Sequence, residues 1–344
     1  MKKNILLSLL LGSTLLLGAC EVSPIQSNSS NPNAPLDAST TSESTVSPPS
    51  SSDTTTNDVP LDTEAITEAP DAFNIFDEID WTNRTILEVS SDNTTGYHDA
   101  LDPINVDQLG LTPEMILENE DLRPLVQHLV NNKYNYTYGA IGYVQDADSI
   151  YTLSNKLNHL PADYVPADLV EPDIDFYFAE FLEKKQLRSE AAMHMEELFS
   201  AAKEDGYTIL GASGYRSYRT QKGIYERNVA NRGQEATDKV SARPGHSEHQ
   251  TGLALDVTLH ALNYRLVDEL GEMNEGIWLK DHAHEFGFII RYSQEDTAIT
   301  GYSYEPWHLR YIGKDVATFI YEHDLTVEEL YMYIESLIEE NTGL

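Results

Sequence analysis

The sequence has one cysteine in 344 residues, so it can form neither an intramolecular disulfide nor a multi-cysteine zinc site. It is also short of cations: 22 Lys and Arg stand against 57 Asp and Glu, a formal charge of −35. That balance excludes a nucleic-acid partner, because phosphate contacts need a basic face. It excludes a polybasic attachment to anionic lipid on the same ground. There is no Gly-rich phosphate loop and no regular βαβ repeat. The apolar run at residues 5–17 is shorter than the roughly 20 residues a transmembrane helix needs. What is present is ordinary: 40% hydrophobic and 9% aromatic residues, enough to fill a core in one or two domains.

The lone cysteine sits where it carries most information. Lys2 and Lys3 precede the apolar run, and Leu17-Gly18-Ala19-Cys20 follows it, which is the form of a secretory signal peptide over residues 1–19. A cysteine directly after two small residues resembles a bacterial lipobox. In that reading Cys20 is the lipidated first residue of the mature chain; a plain signal peptide is the alternative. Two or more acyl chains on Cys20 would anchor the protein to the outer face of the membrane. From residue 21 to 60, 27 of 40 positions are Ser, Thr, Pro or Asn and none is aromatic. Such a stretch cannot bury enough apolar surface to offset its ordering entropy, so residues 20–72 are expected to be a disordered tether. About 50 flexible residues span roughly 40 Å.

Residues 73–150 carry no chemical motif. Thr112-Pro113 predicts a helix start, with Thr as N-cap and Pro at the first helical position, and Met115, Ile116, Leu122, Leu125, Val126 and Leu129 suggest short helices. This extension is either a small accessory domain or a layer on the next one; its own residues do not decide. Residues 151–344 read as one compact unit. Ser189 is expected to cap a helix with Ala191, Ala192, Met195, Leu198, Phe199 and Ala202 on one face. Strands are predicted at 207–212, 252–259 and 288–292, and helices at 277–286 and 325–338. On the second strand Leu253, Leu255 and Val257 point one way, Ala254 and Asp256 the other. Helices and strands mixed without a βαβ repeat predict an α+β fold.

Three clusters carry chemistry: residues 213–221 around Arg216, residues 245–256 with His249 and Asp256, and Glu305-Pro306-Trp307-His308. His249 lies at a loop end, Gly252 lets the chain turn, and Asp256 shares its strand face with small Ala254. His308 would arrive from a distant loop. Two imidazoles and one carboxylate suit Zn²⁺ with a fourth position left for water, a site of catalytic type. Glu305, three residues before His308, could be brought by one turn to the same point and serve as general base for peptide hydrolysis. The segment 213–256 holds seven Lys and Arg against five Asp and Glu, so a carboxylate-ended substrate would meet a locally positive pocket on an acidic chain.

These residues carry a resemblance. Ser247-x-His249-x-x-Gly252-x-Ala254-x-Asp256 followed by Glu305-x-x-His308 resembles the zinc D,D-/L,D-carboxypeptidases of the VanY type, within the lysostaphin, D-Ala-D-Ala metallopeptidase and hedgehog fold group. Tyr215-Arg216-Ser217, the stretch at 160–170 and the stretch at 286–292 belong to the same pattern, which spans about residues 154–330. The resemblance implies a small antiparallel sheet flanked by helices around a zinc cleft. It implies His249, Asp256 and His308 as zinc ligands and Glu305 as the base that also returns a proton to the leaving amine. Arg216 would stabilise the tetrahedral oxyanion, Gln221 and Ser247 would hold the substrate's terminal residue and its carboxylate, and Trp307 would wall the pocket. The expected substrate is the peptidoglycan stem peptide, cut before its C-terminal D-Ala. D,D-cleavage of a pentapeptide is the main reading and L,D-cleavage of a tetrapeptide the alternative. A monomer is expected.

Rival readings are weaker. Ser200-x-x-Lys203 matches one motif of penicillin-binding serine peptidases, but Ser91-Asp92-Asn93 precedes it, where that family's order requires it to follow, and no Lys-Thr-Gly is present. His282-x-His284 lacks a further histidine four residues on, since position 288 is Phe. A wall-binding protein that has lost catalysis would have little reason to keep Glu305 and all three ligands. His246 is a candidate neighbour of the site rather than a ligand.

Overall fold

A computed structural model describes residues 73–83, 89–90, 101–136 and 140–343. The leader, Cys20 and the expected tether lie outside these residues. Among the described residues, no helix is long and apolar enough to cross a membrane.

Short elements come first: strand β1 (Val89–Ser90), helices α1 (Pro113–Leu117) and α2 (Arg123–Asn131), and strands β2 (Ile141–Tyr143) and β3 (Asn158–His159). Thr112 is the N-cap of α1 and Pro113 its first residue, as the sequence predicts. A two-stranded ribbon of β4 (Leu169–Val170) and β5 (Leu187–Arg188) leads into α3 (Ser189–Glu204). Here the cap shifts by one position. Arg188 is still extended and takes the N-cap place, while the Ser189 hydroxyl donates to Asp168 Oδ2 at 3.3 Å instead of capping. Then follow β6 (Leu210–Ser213), α4 (Tyr218–Arg232), α5 (Gln234–Asp238), β7 (Ala254–Thr258), α6 (Asn274–His282), β8 (Phe288–Tyr292), α7 (Thr297–Thr300), β9 (Glu305–Tyr311), α8 (Lys314–His323) and α9 (Val327–Thr342). Ser200 and Lys203 are exposed on α3, on the face opposite its buried Ala191, Met195 and Leu198.

Strands β6, β7, β9 and β8 form an antiparallel sheet in that spatial order. The period of two divides its side chains by chemistry. Leu253, Leu255 and Val257 with Leu309, Tyr311 and Phe288 face one core, where they meet Ala191, Met195 and Leu198 of α3 and Trp278 and Leu279 of α6. Asp256, His308 and Arg310 alternate with those apolar residues and point to the other face, which is where the sheet carries its chemistry.

Two sequence expectations about residues 305–308 are corrected. His308 arrives on a strand, not a loop, and Glu305 and His308 share that strand rather than one turn. On a regular strand a spacing of three would send them to opposite faces. The register shows the escape: Ile290 pairs with Leu309 and Tyr292 with Glu305, so β8 advances by two residues while β9 advances by four. The bulge absorbs the extra residues and returns Glu305 to the face of His308.

A second core joins the extension to the C-terminal helices. Ile75, Leu125, Val126 and Leu129 pack with Val316, Ile320, Leu330, Tyr331 and Ile334. Glu335 of α9 is buried beside Tyr134 and Tyr136, and burial pushes its carboxyl up to about 8. In an unfolded chain the same group loses its proton near ~4.3. Between those values the folded state binds more protons, so its stability falls as pH rises through that window. Glu335→Gln is therefore expected to raise the melting temperature at pH 8 and to change it little at pH 4; an equal shift at both would refute the burial account.

Candidate metal centre

His249 follows Ser247 and Glu248 in a short 3-10 turn, which ends at Gly252 with φ +70°. The turn requires glycine there, because a left-handed backbone strains any residue with a Cβ. It delivers His249 onto the polar face of β7, beside Asp256. Register places Asp256 directly across from His308 of β9. The three residues are buried, and one donor atom from each lies within 4.8 Å of the others.

The hydrogen bonds show which atoms face the centre. His249 Nδ1 lies 2.8 Å from the Gly214 carbonyl, to which it donates, so Nε2 is left toward Asp256 Oδ2 at 3.3 Å. His308 is turned the other way: Nδ1 lies 2.9 Å from Asp256 Oδ1 and Nε2 lies 3.2 Å from Glu248 Oε2. Burial disfavours the charged form of Asp256, but His249 and His308 outweigh it and hold the carboxyl well below the usual range. Two imidazole nitrogens and a carboxylate oxygen converging in a buried spot are the donor set of an open zinc site. The other residues of such a site stand around it in a cleft of about 200 Å³ whose wall includes Arg216, Gln221, Ser247, Glu305 and Trp307.

Arg216 lies in the turn between β6 and α4. Its Nη1 donates to Gln221 Oε1 at 2.9 Å and its Nη2 to Ser213 Oγ at 3.0 Å, and Asp256 Oδ2 is 3.7 Å away. Gln221, one turn into α4, also donates from Nε2 to the Ala242 carbonyl at 2.6 Å. Both polar ends of this amide are thus engaged, and one of them holds the guanidinium. Burial pushes the Glu305 carboxyl up to about 7; His308 and Arg216 pull it down, and Asp256 adds to the rise. A carboxylate poised near neutrality suits proton transfer.

His246 donates from Nδ1 to the Asn155 carbonyl at 2.7 Å. His284 lies far along the chain from the centre, with its ring stacked on Tyr321 at 3.9 Å. It lines a larger cavity of about 380 Å³, with Tyr304 and Pro306, that contains none of the metal-site residues. Chemistry, not volume, locates the site.

Glu248, Arg291, Arg310 and Glu328 lie behind the centre, and no motif in the sequence gives them a role. Glu248 Oε1 accepts from Arg291 Nε at 2.8 Å and from Arg310 Nη1 at 2.9 Å. Burial alone would neutralise this carboxyl, yet the two guanidinium groups hold it well below the carboxylate range. The signal was available: Arg291 and Arg310 interrupt the apolar strand runs at 288–292 and 309–312, and a charge in such a run needs a buried partner. Which partner was not readable.

A buried His-Asp-His cluster on one face of an antiparallel sheet, with a carboxylate and an arginine beside it, defines a metallopeptidase of the open-site kind. Comparison with known proteins gives the family. Residues 184–314 match the family model described as VanY, D-alanyl-D-alanine carboxypeptidase. The chain is 43% identical over 194 residues to the putative carboxypeptidase YodJ of Bacillus subtilis, covering 56% of this chain and 71% of that one. It is 33% identical over 187 residues to a D-alanyl-D-alanine carboxypeptidase of Enterococcus faecalis, covering 52% of this chain and 63% of the relative. Among solved structures it is similar to the LD-carboxypeptidase LdcB, whose structure concerns peptidoglycan recognition. That likeness has a TM-score of 0.55 and 43% identity, over 58% of this chain and 93% of LdcB. The chain belongs to the VanY carboxypeptidase family.

Proposed function

We propose that the protein is a zinc carboxypeptidase that releases C-terminal D-Ala from peptidoglycan stem peptides. The observation that carries this reading is the buried convergence of His249 Nε2, Asp256 and His308 Nδ1, with Glu305 and Arg216 on the same cleft. A bound zinc ion supplies Lewis acidity toward a carbonyl oxygen and lowers the pKa of water. Glu305 takes a proton from the attacking water and returns it to the leaving amine. Arg216, pinned by Gln221 and Ser213, faces the carbonyl oxygen as negative charge develops on it. Ser247 and the floor formed by α4 receive the terminal residue and its carboxylate, and Trp307 closes one wall.

Two bonds fit this description. The family model and the Enterococcus faecalis relative favour the D-Ala-D-Ala bond of a pentapeptide. The higher identity to LdcB favours the L,D bond of a tetrapeptide. Incubating the protein with each defined stem and measuring released D-Ala separates them. Release from the pentapeptide alone supports the first reading and release from the tetrapeptide alone the second. Release from neither by a zinc-loaded, folded protein would overturn the proposal, as would release that survives complete removal of the metal by a chelator.

The substrate lies outside the cell, and the proposed lipid on Cys20 would hold the enzyme there. Cys20→Ala is expected to move the protein from the membrane fraction to the medium; retention at the membrane would refute the anchor.

A further inference from the structure

We propose that Glu248 is the positioning residue that turns His308 so that Nδ1 faces the metal, and that helix α9 supports it through Glu328. The inference rests on the metal-site reading above and goes beyond the motif residues.

A neutral imidazole carries one N–H and one lone pair, and an outer partner decides which nitrogen has which. Glu248 Oε2 lies 3.2 Å from His308 Nε2, and an ionised carboxylate can only accept. Nδ1 faces Asp256 Oδ1 at 2.9 Å, where the cluster converges, so both ring nitrogens meet a carboxylate; once a metal takes the Nδ1 lone pair, the remaining proton is on Nε2, where Glu248 accepts it. His249 is oriented by a different device, the Gly214 carbonyl on its Nδ1. A backbone carbonyl is fixed by the chain. A carboxylate on a flexible side chain is not, and it must be kept both ionised and still.

The structure provides for both. Glu248 Oε1 is clamped by Arg291 Nε at 2.8 Å and Arg310 Nη1 at 2.9 Å. Arg310 is itself tied to the backbone, through the carbonyls of Ile150 at 3.0 Å and Thr152 at 2.7 Å. The free edge of Arg291 meets Glu328 in a two-pronged pair, Nη1 to Oε2 at 2.9 Å and Nη2 to Oε1 at 2.6 Å. Glu328 also accepts from Asn155 Nδ2 at 3.0 Å. The side chains of Glu248, Arg291 and Arg310 are 0% exposed, so no solvent can substitute for a missing partner. Glu328 stands in the first turn of α9, beyond the residues 184–314 that the family model matches. A metal ligand is thus braced, through two ion pairs, by a helix that carries none of the catalytic motifs.

The test measures zinc affinity by competition with a chromophoric chelator, on the full chain, alongside thermal melts. Glu248→Gln keeps the shape and removes the charge; it is expected to weaken zinc binding by about 10- to 100-fold. Glu328→Gln removes the brace one step out and is expected to weaken it less, but measurably. Glu329→Ala is the control. Glu329 closes the capping box of α9 on Thr326 and lies outside the ion-pair chain, so its truncation should lower the melting temperature and leave zinc affinity unchanged. In nitrogen-15 spectra of the zinc-loaded protein, His308 should carry its proton on Nε2.

Zinc affinity unchanged in both Glu248→Gln and Glu328→Gln would overturn the proposal. So would an equal loss in Glu329→Ala, which would reduce the effect to helix destabilisation, or a proton found on His308 Nδ1. The readout is independent of turnover. A protein that binds zinc as expected but releases no D-Ala would defeat the proposed function and leave this inference standing. If the unaltered chain bound no zinc, both would fall.

Discussion

Glu305→Gln is expected to keep its zinc and lose its turnover. The substitution is nearly isosteric and touches none of the three ligands, so metal content should match that of the unaltered protein. Gln cannot accept a proton from water, and a positioned carboxylate contributes about 10²–10⁴-fold through general acid–base transfer. The loss should fall on kcat, with KM little changed, because proton transfer is made only in the transition state. Stability should move in the opposite direction. Burial raises the Glu305 carboxyl to about 7, so near and above neutral pH the folded state bears the cost of an ionised group in a poorly solvated place. A neutral amide removes that cost, and the melting temperature of the metal-free protein should rise, as activity and stability commonly trade at such positions. A variant with activity within tenfold of the original would remove Glu305 from the role of base.

The second large effect is expected at Arg216. Replacement by Met removes the donor proposed for the developing oxyanion and should lower kcat by about 10²–10³-fold, a loss of ~3–4 kcal/mol in transition-state stabilisation. Replacement by Lys keeps a charge but not the fork. The bonds to Gln221 Oε1 at 2.9 Å and Ser213 Oγ at 3.0 Å are made by two different guanidinium nitrogens, and one ammonium cannot reproduce that orientation. Arg216→Lys should therefore recover only part of the rate. Gln221→Ala offers a check on the same idea. It leaves Arg216 in place but loosens it and leaves the Ala242 carbonyl without this donor, so its effect on kcat should be smaller and of the same kind. If Arg216→Met changed KM and not kcat, the residue would be a ground-state binder of the terminal carboxylate instead.

The site and the fold differ in how far they could be read from the chain. His249 and Asp256 lie seven residues apart, and the turn at Gly252 and the alternation of 253–257 suffice to put both on one face. Local rules reach that far. They fail at Glu305 and His308, where a spacing of three suggests a turn. A strand with a bulge serves the same end, and bulges depend on what the neighbouring strand does, here the shorter path of β8 between Ile290 and Tyr292. Gln221 lies on the cleft wall where its motif position expects it, and packing adds what the motif does not show, its bonds to Arg216 and to the Ala242 carbonyl.

By itself the sequence determined the acidic character and the α+β class, and its motifs, through their likeness to a known family, named the ligand set, because each depends on residue types and patterns that are present in the chain before any packing. Its single cysteine, read with the residues around it, also supplied the expectation of an anchor. Only the tertiary structure decided how the ligands are held. The Glu248–Arg291–Glu328 chain joins residues 43 and 37 positions apart, and the Glu248–Arg310 pair spans 62. Nothing local marks such partners, since charges buried far apart in sequence are matched only when packing removes water from between them and leaves each no other neighbour.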